Sequence, residues 1–298
     1  MADDNDIHAS FNFMKQVELY DKVKPYSIDN EIKKWDGPIP RTNYRNSVVE
    51  DVVVKDLRGR EGQFTFEKNG FAVIELDSSM AYEDYSDPVK LYNIYLQEVA
   101  ACLIQYFSAT SVHIFNVVVS ICTRLRVNAL VTQVSSASSA ASRLSQSRDI
   151  SSRIGDTAGS TDSTPDSLDQ LVRELKQDQL AIGSRRYIYL NVWKTLVGPL
   201  YDWPLAFCDA ETIEPGDLQS HDQVFHDVVR ENVMVYHNPD QKWYYLSGQM
   251  PSELLLFRQA DSQNNPGVAH TAFEIPSQPP NPLQTRESIE IRVVVYLD

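Results

Sequence analysis

The stretch "AHTAFEIPSQPPNPLQTRESIEIRVVV", residues 269–295, contains two strand-like segments joined by a proline-rich loop. His270 lies in the first segment, and Arg286 opens the second. Earlier runs with the same strand character are "YIYLNVWKTL", "VMVYH", "KWYYL" and "ELLLFR". Short strands at this spacing, separated by turns rich in Pro, Asn and Asp, indicate an antiparallel barrel or jelly roll.

The first part of the chain is polar. Residues 1–50 contain several prolines, and we interpret them as an N-terminal arm that lies over the fold with little regular structure of its own. The next stretch, "GQFTFEKNGFAVIEL" (62–76), has an Asn-Gly pair between two β-rich runs. Because Asn-Gly is a strong signal for a tight turn, we predict a β-hairpin there.

The stretch "SDPVKLYNIYLQEVAACLIQYF" predicts a helix. Asp87 can cap its first turn, Pro88 stands at the first helical position, and apolar side chains follow at helical spacing. Residues 112–121 are β-rich and continuously apolar, which predicts a buried strand.

A serine-rich segment comes next. Residues 135–167 are dominated by serine and other small residues, and such sequence buries little surface. We expect a long mobile loop or lid there, with a short helix beginning at Thr164 and Pro165. Since no internal repeat or second domain is evident, we interpret residues 1–298 as a single domain.

The charge of the chain excludes some classes of partner. There are 41 acidic residues against 27 basic residues, which gives a net charge of −14. An acidic surface repels phosphate backbones and anionic lipid surfaces, so we expect neither nucleic acid nor a membrane as a partner.

The cysteines and the N-terminal segment indicate a reducing compartment. Cys102, Cys122 and Cys208 are far apart and form no CxxC pair, which favours buried free thiols. The first ten residues are acidic and polar, unlike a signal or transit peptide. The longest apolar runs are far shorter than the roughly 18 residues of a membrane span. We therefore expect a cytoplasmic protein.

Several common catalytic motifs are missing from the sequence. It contains no GxGxxG, P-loop or GxSxG pattern, so nucleotide binding and serine-hydrolase chemistry have no support. None of the six histidines is followed two residues later by Asp or Glu. These are His8, His113, His221, His226, His237 and His270.

The sequence resembles the fungal hydroxylase/desaturase group of Fe(II)/2-oxoglutarate-dependent oxygenases of secondary metabolism. The likeness extends from about residue 10 to the C-terminus and follows the same order along the chain. Matching stretches include "DLRGREGQFTFEKNGFAVIEL", "NVWKTLVGPLYDWPLAFCDA", "HNPDQKWYYLSGQMPSELLLFRQADS" and "HTAFEIPSQPPNPLQTRESIEIR". The resemblance implies a mostly β fold with flanking helices, a double-stranded β-helix of the jelly-roll, cupin-like kind.

The resemblance also implies a site. In that family, His270 would be the last iron ligand and Arg286 the arginine that binds 2-oxoglutarate. The first half of the site, a His-x-Asp pair, would come earlier in the chain. Aligning the two patterns places Leu130 at the histidine and Thr132 at the aspartate, with Gln133 keeping the register.

These replacements remove the chemistry of an iron site. Two imidazoles and a carboxylate hold Fe(II) and leave open positions for 2-oxoglutarate and O₂. A leucine has no lone pair, and a threonine hydroxyl is a poor neutral ligand. We therefore predict that this chain has no catalytic residue and binds no catalytic iron, with His270 as the remainder of a degraded triad.

Each candidate residue also has a structural explanation. His270 without partners is expected to pack as an ordinary histidine. Arg286, as a vestigial 2-oxoglutarate arginine, would form an ion pair with Glu287 or Glu290. Arg292 lies on the same strand face and is a second candidate for the 2-oxoglutarate arginine. His113 could substitute as a metal ligand, but its β-rich surroundings favour a core or edge position.

Other polar and aromatic residues have simpler interpretations. Adjacent residues on a strand point in opposite directions, so the pairs His221/Asp222 and His226/Asp227 do not chelate easily and are expected to be solvated. Core packing is expected for the aromatic residues, although they could line a hydrophobic pocket. These are Trp193, Trp203, Trp243, Tyr244 and Tyr245.

The resemblance and the missing ligands together favour a pseudoenzyme. We expect a non-catalytic subunit that pairs with an active paralogous oxygenase of terpenoid or meroterpenoid biosynthesis as a heterodimer. In that case Fe(II) and 2-oxoglutarate would be bound by the partner and not by this chain. Two alternatives are an active hydroxylase or desaturase with an atypical metal site, and a homodimeric protein that binds a small molecule without chemistry.

Overall fold

The computed structural model describes residues 6–28, 37–120, 160–161, 186–225, 229–263, 265, 267–276 and 285–298. The strands are β1 (Ile7–Met14), β2 (Tyr26–Ile28), β3 (Asn46–Asp56), β4 (Phe71–Glu75), β5 (Ser111–Ser120), β6 (Ser160–Thr161), β7 (Tyr187–Thr195), β8 (Leu205–Cys208), β9 (Leu218–Val224), β10 (Val229–Val235), β11 (Trp243–Tyr245), β12 (Glu253–Asp261), β13 (His270–Ala272) and β14 (Ser288–Tyr296). The helices are α1 (Phe66–Asn69), α2 (Pro88–Lys90) and α3 (Leu96–Phe107), with a π-helical turn at Leu91–Tyr95 between the last two. Short 3₁₀ turns lie at Glu18–Asp21, Glu61–Gln63, Tyr82–Ser86, Ala210–Thr212 and Pro215–Asp217.

The strands form two sheets. The large sheet has the order β1-β3-β11-β8-β13-β6-β10-β9-β2, and the small sheet has the order β4-β12-β7-β14-β5. All pairs within the small sheet are antiparallel. This arrangement confirms the predicted mostly β jelly roll with flanking helices.

The small sheet is buried on both faces. On one face, alternate residues such as Leu190, Val192 and Ile291 pack with the α3 residues Val99 and Leu103. On the other face, the side chains between them pack against residues of the large sheet. Trp193, Leu255 and Phe257 of the small sheet lie in one cluster with Leu205, Phe207 and Tyr244 of the large sheet. Side chains along each strand point alternately to the two faces of the small sheet, and this alternation separates the two cores.

A further core lies beneath the N-terminal strand. Phe11 of β1 meets Trp243 edge-on, with ring centroids 5.0 Å apart, and lies 5.7 Å from Phe273. The prediction that residues 1–50 have little regular structure is wrong, because β1, β2 and the start of β3 fall within them. The apolar residues of β1 alternate along the strand and supply one side of this core.

The predicted hairpin at 62–76 is wrong in its first strand and its turn, while its second strand is confirmed as β4 (Phe71–Glu75). Its first run forms the one-turn helix α1, in which the Thr65 side chain accepts a hydrogen bond from the Lys68 amide. Gly70 ends the helix in the left-handed conformation, with φ of 78°. The Arg258 side chain is 1% exposed and donates to the carbonyls of Phe66 and Glu67. The Asn-Gly pair therefore ends a helix instead of forming a hairpin turn.

The predicted helix and the strand after it are confirmed. The Asp87 carboxylate accepts a hydrogen bond from the Val89 amide at 2.9 Å, and Pro88 is the first helical residue. β5 covers Ser111–Ser120 and pairs with β14, but among the described strands it is an edge strand whose residues are mostly half-buried, so the predicted burial of this strand is wrong. Of the serine-rich segment 135–167, only Ser160 and Thr161 lie within the described residues, so the predicted loop and short helix fall outside them.

Cys102 and Cys208 are free, and Cys208 is buried, while Cys122 lies outside the described residues. Burial raises the pKa of the Cys208 thiol to about 12. Within the described ranges, no helix is long and apolar enough to cross a membrane.

Replacing Gly70 with alanine is expected to destabilise the fold strongly. A Cβ at this position would lie 2.3 Å from Cγ2 of Val268, and φ is positive. We expect Gly70→Ala to lower the free energy of unfolding by about 2–4 kcal/mol, measured by urea denaturation.

Two glycines serve as controls for this measurement. Gly59 has φ of 77° but open space around it, so Gly59→Ala is expected to cost only about 1–2 kcal/mol. Gly62 has open space and no positive φ, so Gly62→Ala is expected to stay within about 0.5 kcal/mol of the wild type. Equal losses at positions 59 and 70 would contradict the close approach to Val268.

Candidate functional site

His270 lies in β13, between β8 and β6. It is registered with Phe207 on one side and with Ser160 on the other. Its half-buried imidazole packs against the Phe257 ring, with centroids 4.6 Å apart. His270 Nδ1 lies 3.0 Å from the carbonyl oxygen of Val268. A carbonyl only accepts, so Nδ1 carries a proton, and the tautomer that fits this contact has its lone pair on Nε2.

This orientation is the one that a metal-binding histidine requires. Ligating imidazoles commonly donate their other N–H to a carbonyl or carboxylate, which fixes the tautomer and the direction of the ring. His270 therefore remains competent as a single ligand. The residue that sequence reasoning assigned as the last iron ligand keeps its supporting contact.

The rest of an iron site is not formed by the described residues. Within the ranges that the structure describes, no group of three His, Cys, Asp or Glu residues could hold a metal ion. Leu130 and Thr132 lie outside those ranges, so the structure does not test their assignment. The residue registered with His270 on β6 is Ser160, which has no imidazole. Among the described residues, the donor set around His270 does not fit Fe(II).

Arg286 lies two residues before β14, and its backbone and side chain are both hydrogen-bonded to the loop before β8. Its amide donates to Asp202 Oδ2 at 2.7 Å, and its guanidinium Nη1 donates to the Trp203 carbonyl at 2.7 Å. Burial lowers the pKa of Arg286, and the charges of Asp202 and Glu290 oppose that effect. The guanidinium thus has a structural partner.

The expected ion pair between Arg286 and its neighbours on the strand does not form. Glu287 accepts a hydrogen bond from the Tyr82 hydroxyl, and this contact raises the pKa of Tyr82 to about 12. Glu290 pairs with Arg292, whose Nε lies 3.2 Å from a Glu290 carboxylate oxygen.

Arg292 belongs to a polar row that crosses the small sheet. It is registered with Asn191 on β7 and Asn116 on β5. Asn191 Nδ2 donates to Glu290 Oε1 at 3.3 Å, and Asn191 is fully buried. Sequence reasoning missed Asn191, although one polar residue in the apolar run "YIYLNVW" was a usable signal.

Within the described part of the chain, no other histidine joins His270 in a cluster of potential metal ligands. His113 is half-buried on β5, opposite Val294, and joins no cluster of potential metal ligands among the described residues. Its predicted core or edge position agrees with this placement. His226 and Asp227 lie outside the described residues.

His221 was expected to be solvated, and this prediction is wrong. Its side chain is buried, at 4% exposure, and meets the Tyr44 ring edge-on at 5.1 Å. Neither ring nitrogen has a hydrogen-bond partner among the described residues. Burial lowers the pKa of His221 to about 4, while the charge of Asp222 opposes that shift. Asp222 itself pairs with Lys24.

The aromatic residues pack mainly as core. Trp193, Trp243, Tyr244 and Tyr245 are buried, as predicted for core packing. Trp203 differs, because it lines a cavity of about 380 Å³ together with Phe11, Phe273 and Glu274, among others. Its φ of 47° is unusual for a bulky residue.

The chain is similar to a known family over almost its whole length. A family described as "YDMC: Oxidoreductase/YMDC permease-like domain" matches residues 11–296. Curated relatives include "Fe(II)/2-oxoglutarate-dependent dioxygenase nvfI" of Aspergillus novofumigatus, 34% identical over 45% of this chain and 50% of the relative. "Alpha-ketoglutarate-dependent dioxygenase tstK" of Talaromyces stipitatus is 28% identical over 84% of this chain and 86% of the relative.

The chain is also similar to a third curated protein and to a solved structure. "Aspirochlorine biosynthesis protein N" of Aspergillus oryzae is 32% identical over 41% of this chain, and the match spans only 60% of that relative. A solved structure described as the iron and alpha-ketoglutarate-dependent endoperoxidase NvfI superposes with a TM-score of 0.77. It covers 99% of both chains at 22% identity, which supports the same fold.

The buried His221 predicts a pH-dependent contribution to stability. Between its ordinary pKa of 6.5 and about 4, the unfolded chain binds a proton that the folded chain does not. The stability contribution of the neutral, buried His221 is therefore complete above pH 6.5. As the pH falls towards 4, protonation of the unfolded chain lowers the free energy of unfolding by up to about 3 kcal/mol.

The variant His221→Phe should remove this dependence. Both proteins share the same carboxyl groups, so the effects of those groups cancel in the difference between their unfolding free energies. We expect the remaining difference between His221→Phe and the wild type to change across this pH window. The exposed His237 provides the matched control His237→Phe. A difference that stays constant from pH 6.5 to 4 would contradict the burial argument.

Proposed function

Since the chain belongs to the oxidoreductase/YMDC permease-like domain family, we propose that it is a subunit of a fungal Fe(II)/2-oxoglutarate-dependent oxygenase complex. Its relatives are fungal Fe(II)/2-oxoglutarate-dependent dioxygenases of secondary metabolism. The chain itself is catalytically inactive, and it stabilises or completes the site of an active paralogous partner in a heterodimer. The complex acts in terpenoid or meroterpenoid biosynthesis.

The absence of a His-x-Asp or His-x-Glu triplet from the sequence is the observation that carries this proposal. None of the six histidines is followed two residues later by Asp or Glu. His270 keeps its supporting hydrogen bond, but Fe(II) in this class of site is held by two histidines and one carboxylate. The missing pair supports the loss of iron binding while the fold persists.

The contacts of Arg286 support the same conclusion. An arginine that binds a dicarboxylate presents its guanidinium fork to the ligand. In this chain the guanidinium donates to the Trp203 carbonyl, and the Arg286 amide is bonded to Asp202. Arg286 therefore acts as a structural tie between β14 and the loop before β8, which is the role proposed for a vestigial 2-oxoglutarate arginine.

The partner supplies the chemistry that this chain lacks. We assign Fe(II), 2-oxoglutarate and the organic substrate to the active paralogue. A permanent pair of this kind buries a large and rather apolar interface. The net charge of −14 argues against nucleic acid or anionic membrane as a further partner.

A second candidate is an active hydroxylase or desaturase with an atypical metal site. The observation in its favour is the state of His270, whose Nε2 keeps the lone pair of a ligand. This candidate requires further ligands from residues other than the described ones, since those form no cluster of three around a metal position.

Metal content and reconstitution separate the two candidates. We expect the isolated chain, purified without oxygen in the presence of Fe(II) and 2-oxoglutarate, to retain no stoichiometric iron. Mixed with a paralogue from the same gene cluster, it should form a stable complex that consumes 2-oxoglutarate faster than the paralogue alone. Stoichiometric iron and turnover by the isolated chain would establish the second candidate instead.

The variant His270→Gln sharpens this test. If the partner holds the iron, His270→Gln should leave the iron content and turnover of the complex unchanged. A loss of iron from the complex, with assembly intact by size-exclusion chromatography, would show that His270 ligates the metal and would contradict a non-catalytic role.

A further inference from the structure

We propose that the cavity beside Trp203 is a binding site for a small organic cation, a molecule with an apolar ring or chain and one ammonium, amidinium or guanidinium group. The cavity has a volume of about 380 Å³. Sites for small molecules measure about 300–1,000 Å³, so a single amino-acid side chain would leave much of this space unfilled. The walls come from β1, from the loop before β8 and from the end of β13.

The cavity lies on the face of β13 opposite His270. Thr271 and Phe273 line it, and Phe273 packs in one cluster with Phe11 of β1. The His270 ring packs instead on Phe257, which belongs to the core between the two sheets. Because side chains alternate along a strand, the two faces of β13 are separate environments. Binding in the cavity therefore does not depend on whether the chain binds iron.

Glu274 gives the cavity its charge. It is the only charged residue among the described residues that line the cavity. Glu274 is exposed, and it forms no hydrogen bond or ion pair with any residue in the described part of the chain. The net charge of −14 adds a negative field to this local charge. The cavity therefore favours a cation over an anion.

The edge of β1 supplies hydrogen-bond acceptors. Among the described strands, β1 is at one end of the large sheet, so one side of its backbone has no neighbouring strand. Three consecutive residues, Ser10, Phe11 and Asn12, line the cavity. Since their side chains alternate in direction, a cavity that all three line meets the backbone edge of the strand. Carbonyl oxygens at such an edge accept hydrogen bonds from the N–H groups of a ligand.

Aromatic rings supply the apolar part of the cavity. Phe11 and Phe273 are buried, with ring centroids 5.7 Å apart, and the half-buried Trp203 lines the cavity with them. Aromatic faces attract organic cations, and tryptophan does so most strongly. A metal ion would need several oxygen ligands, and the described residues form no cluster of three potential metal ligands. Rings with one carboxylate fit an organic cation better.

The backbone holds Trp203 in an unusual conformation. Its φ of 47° lies in the left-handed region, which bulky residues rarely adopt. The Arg286 guanidinium donates to the Trp203 carbonyl, and the Arg286 amide donates to Asp202. Residues held in such conformations by their surroundings cluster at ligand sites. The contacts of Arg286 thus have a consequence, because they fix Trp203 in the wall of the cavity.

Three compounds of the same shape test the proposal. Benzamidine carries a cationic amidinium on an aromatic ring, benzamide is its neutral counterpart, and benzoate is anionic. Binding to the full chain is measured by isothermal titration calorimetry at low salt. We expect benzamidine to bind at least about fivefold more tightly than benzamide, because hydrogen bonds between charged groups are stronger than neutral ones, and benzoate to bind least. Equal or reversed affinities, or no detectable binding of benzamidine, would overturn the proposal.

A pair of matched variants locates the binding. Glu274→Gln removes the charge and keeps the size of the side chain, so it should weaken benzamidine binding at least about fivefold and leave benzamide binding unchanged. Glu211 is also exposed but is not among the residues that line the cavity, so Glu211→Gln is the control and should bind benzamidine like the wild type. Unchanged benzamidine affinity in Glu274→Gln would show that the ligand binds elsewhere.

Carboxyl labelling locates the ligand without any substitution. The wild-type chain is treated with a carbodiimide and glycine ethyl ester, with and without saturating benzamidine, and the labelled peptides are quantified by mass spectrometry. Benzamidine should suppress the labelling of Glu274 and leave that of Glu211 unchanged. Equal labelling of Glu274 with and without bound benzamidine would overturn the proposal.

Discussion

The pairing of β14 between β5 and β7 is the constraint on which the rest of the structure depends. Ile289, Ile291 and Val293 pack in the core beneath α3, so Glu290 and Arg292 face the opposite way, beside Asn191. A slip of one residue would place both charges in the apolar core under α3, at a large cost in desolvation. The register of β14 is therefore fixed, and it also sets the position of Arg286, two residues before the strand.

Much of this fold can be predicted from the sequence, because its strands carry their own pattern. β7, β12 and β14 alternate in side-chain direction, and the predicted runs match the observed bounds within a few residues. The helix from Pro88 is equally clear, since its cap, its proline and its apolar spacing agree. Local signals that agree with each other are dependable.

The wrong predictions concern residues whose conformation or burial is determined by contacts with residues distant in the sequence. The Asn-Gly pair at Asn69 and Gly70 suits a hairpin, yet it ends a helix, because the buried Arg258 satisfies the final carbonyls and Val268 packs closely over Gly70. The prediction that His221 is solvated failed for a similar reason, because the sequence does not reveal that Tyr44 packs against it. The same limit applies to the site. His270 and Arg286 stand out beside a proline-rich loop, but Leu130 and Thr132, the positions assigned to the first ligands, lie outside the described residues.

The fold itself holds the surroundings of His270. Val268 is fully buried, its amide donates to the Arg258 carbonyl, and its own carbonyl orients His270. Any change in this segment would disturb the core, so selection for folding preserves the histidine's surroundings whether or not a metal binds. Under the proposed loss of iron binding, this contact explains how the chain keeps an oriented His270 although its sequence contains no His-x-Asp pair.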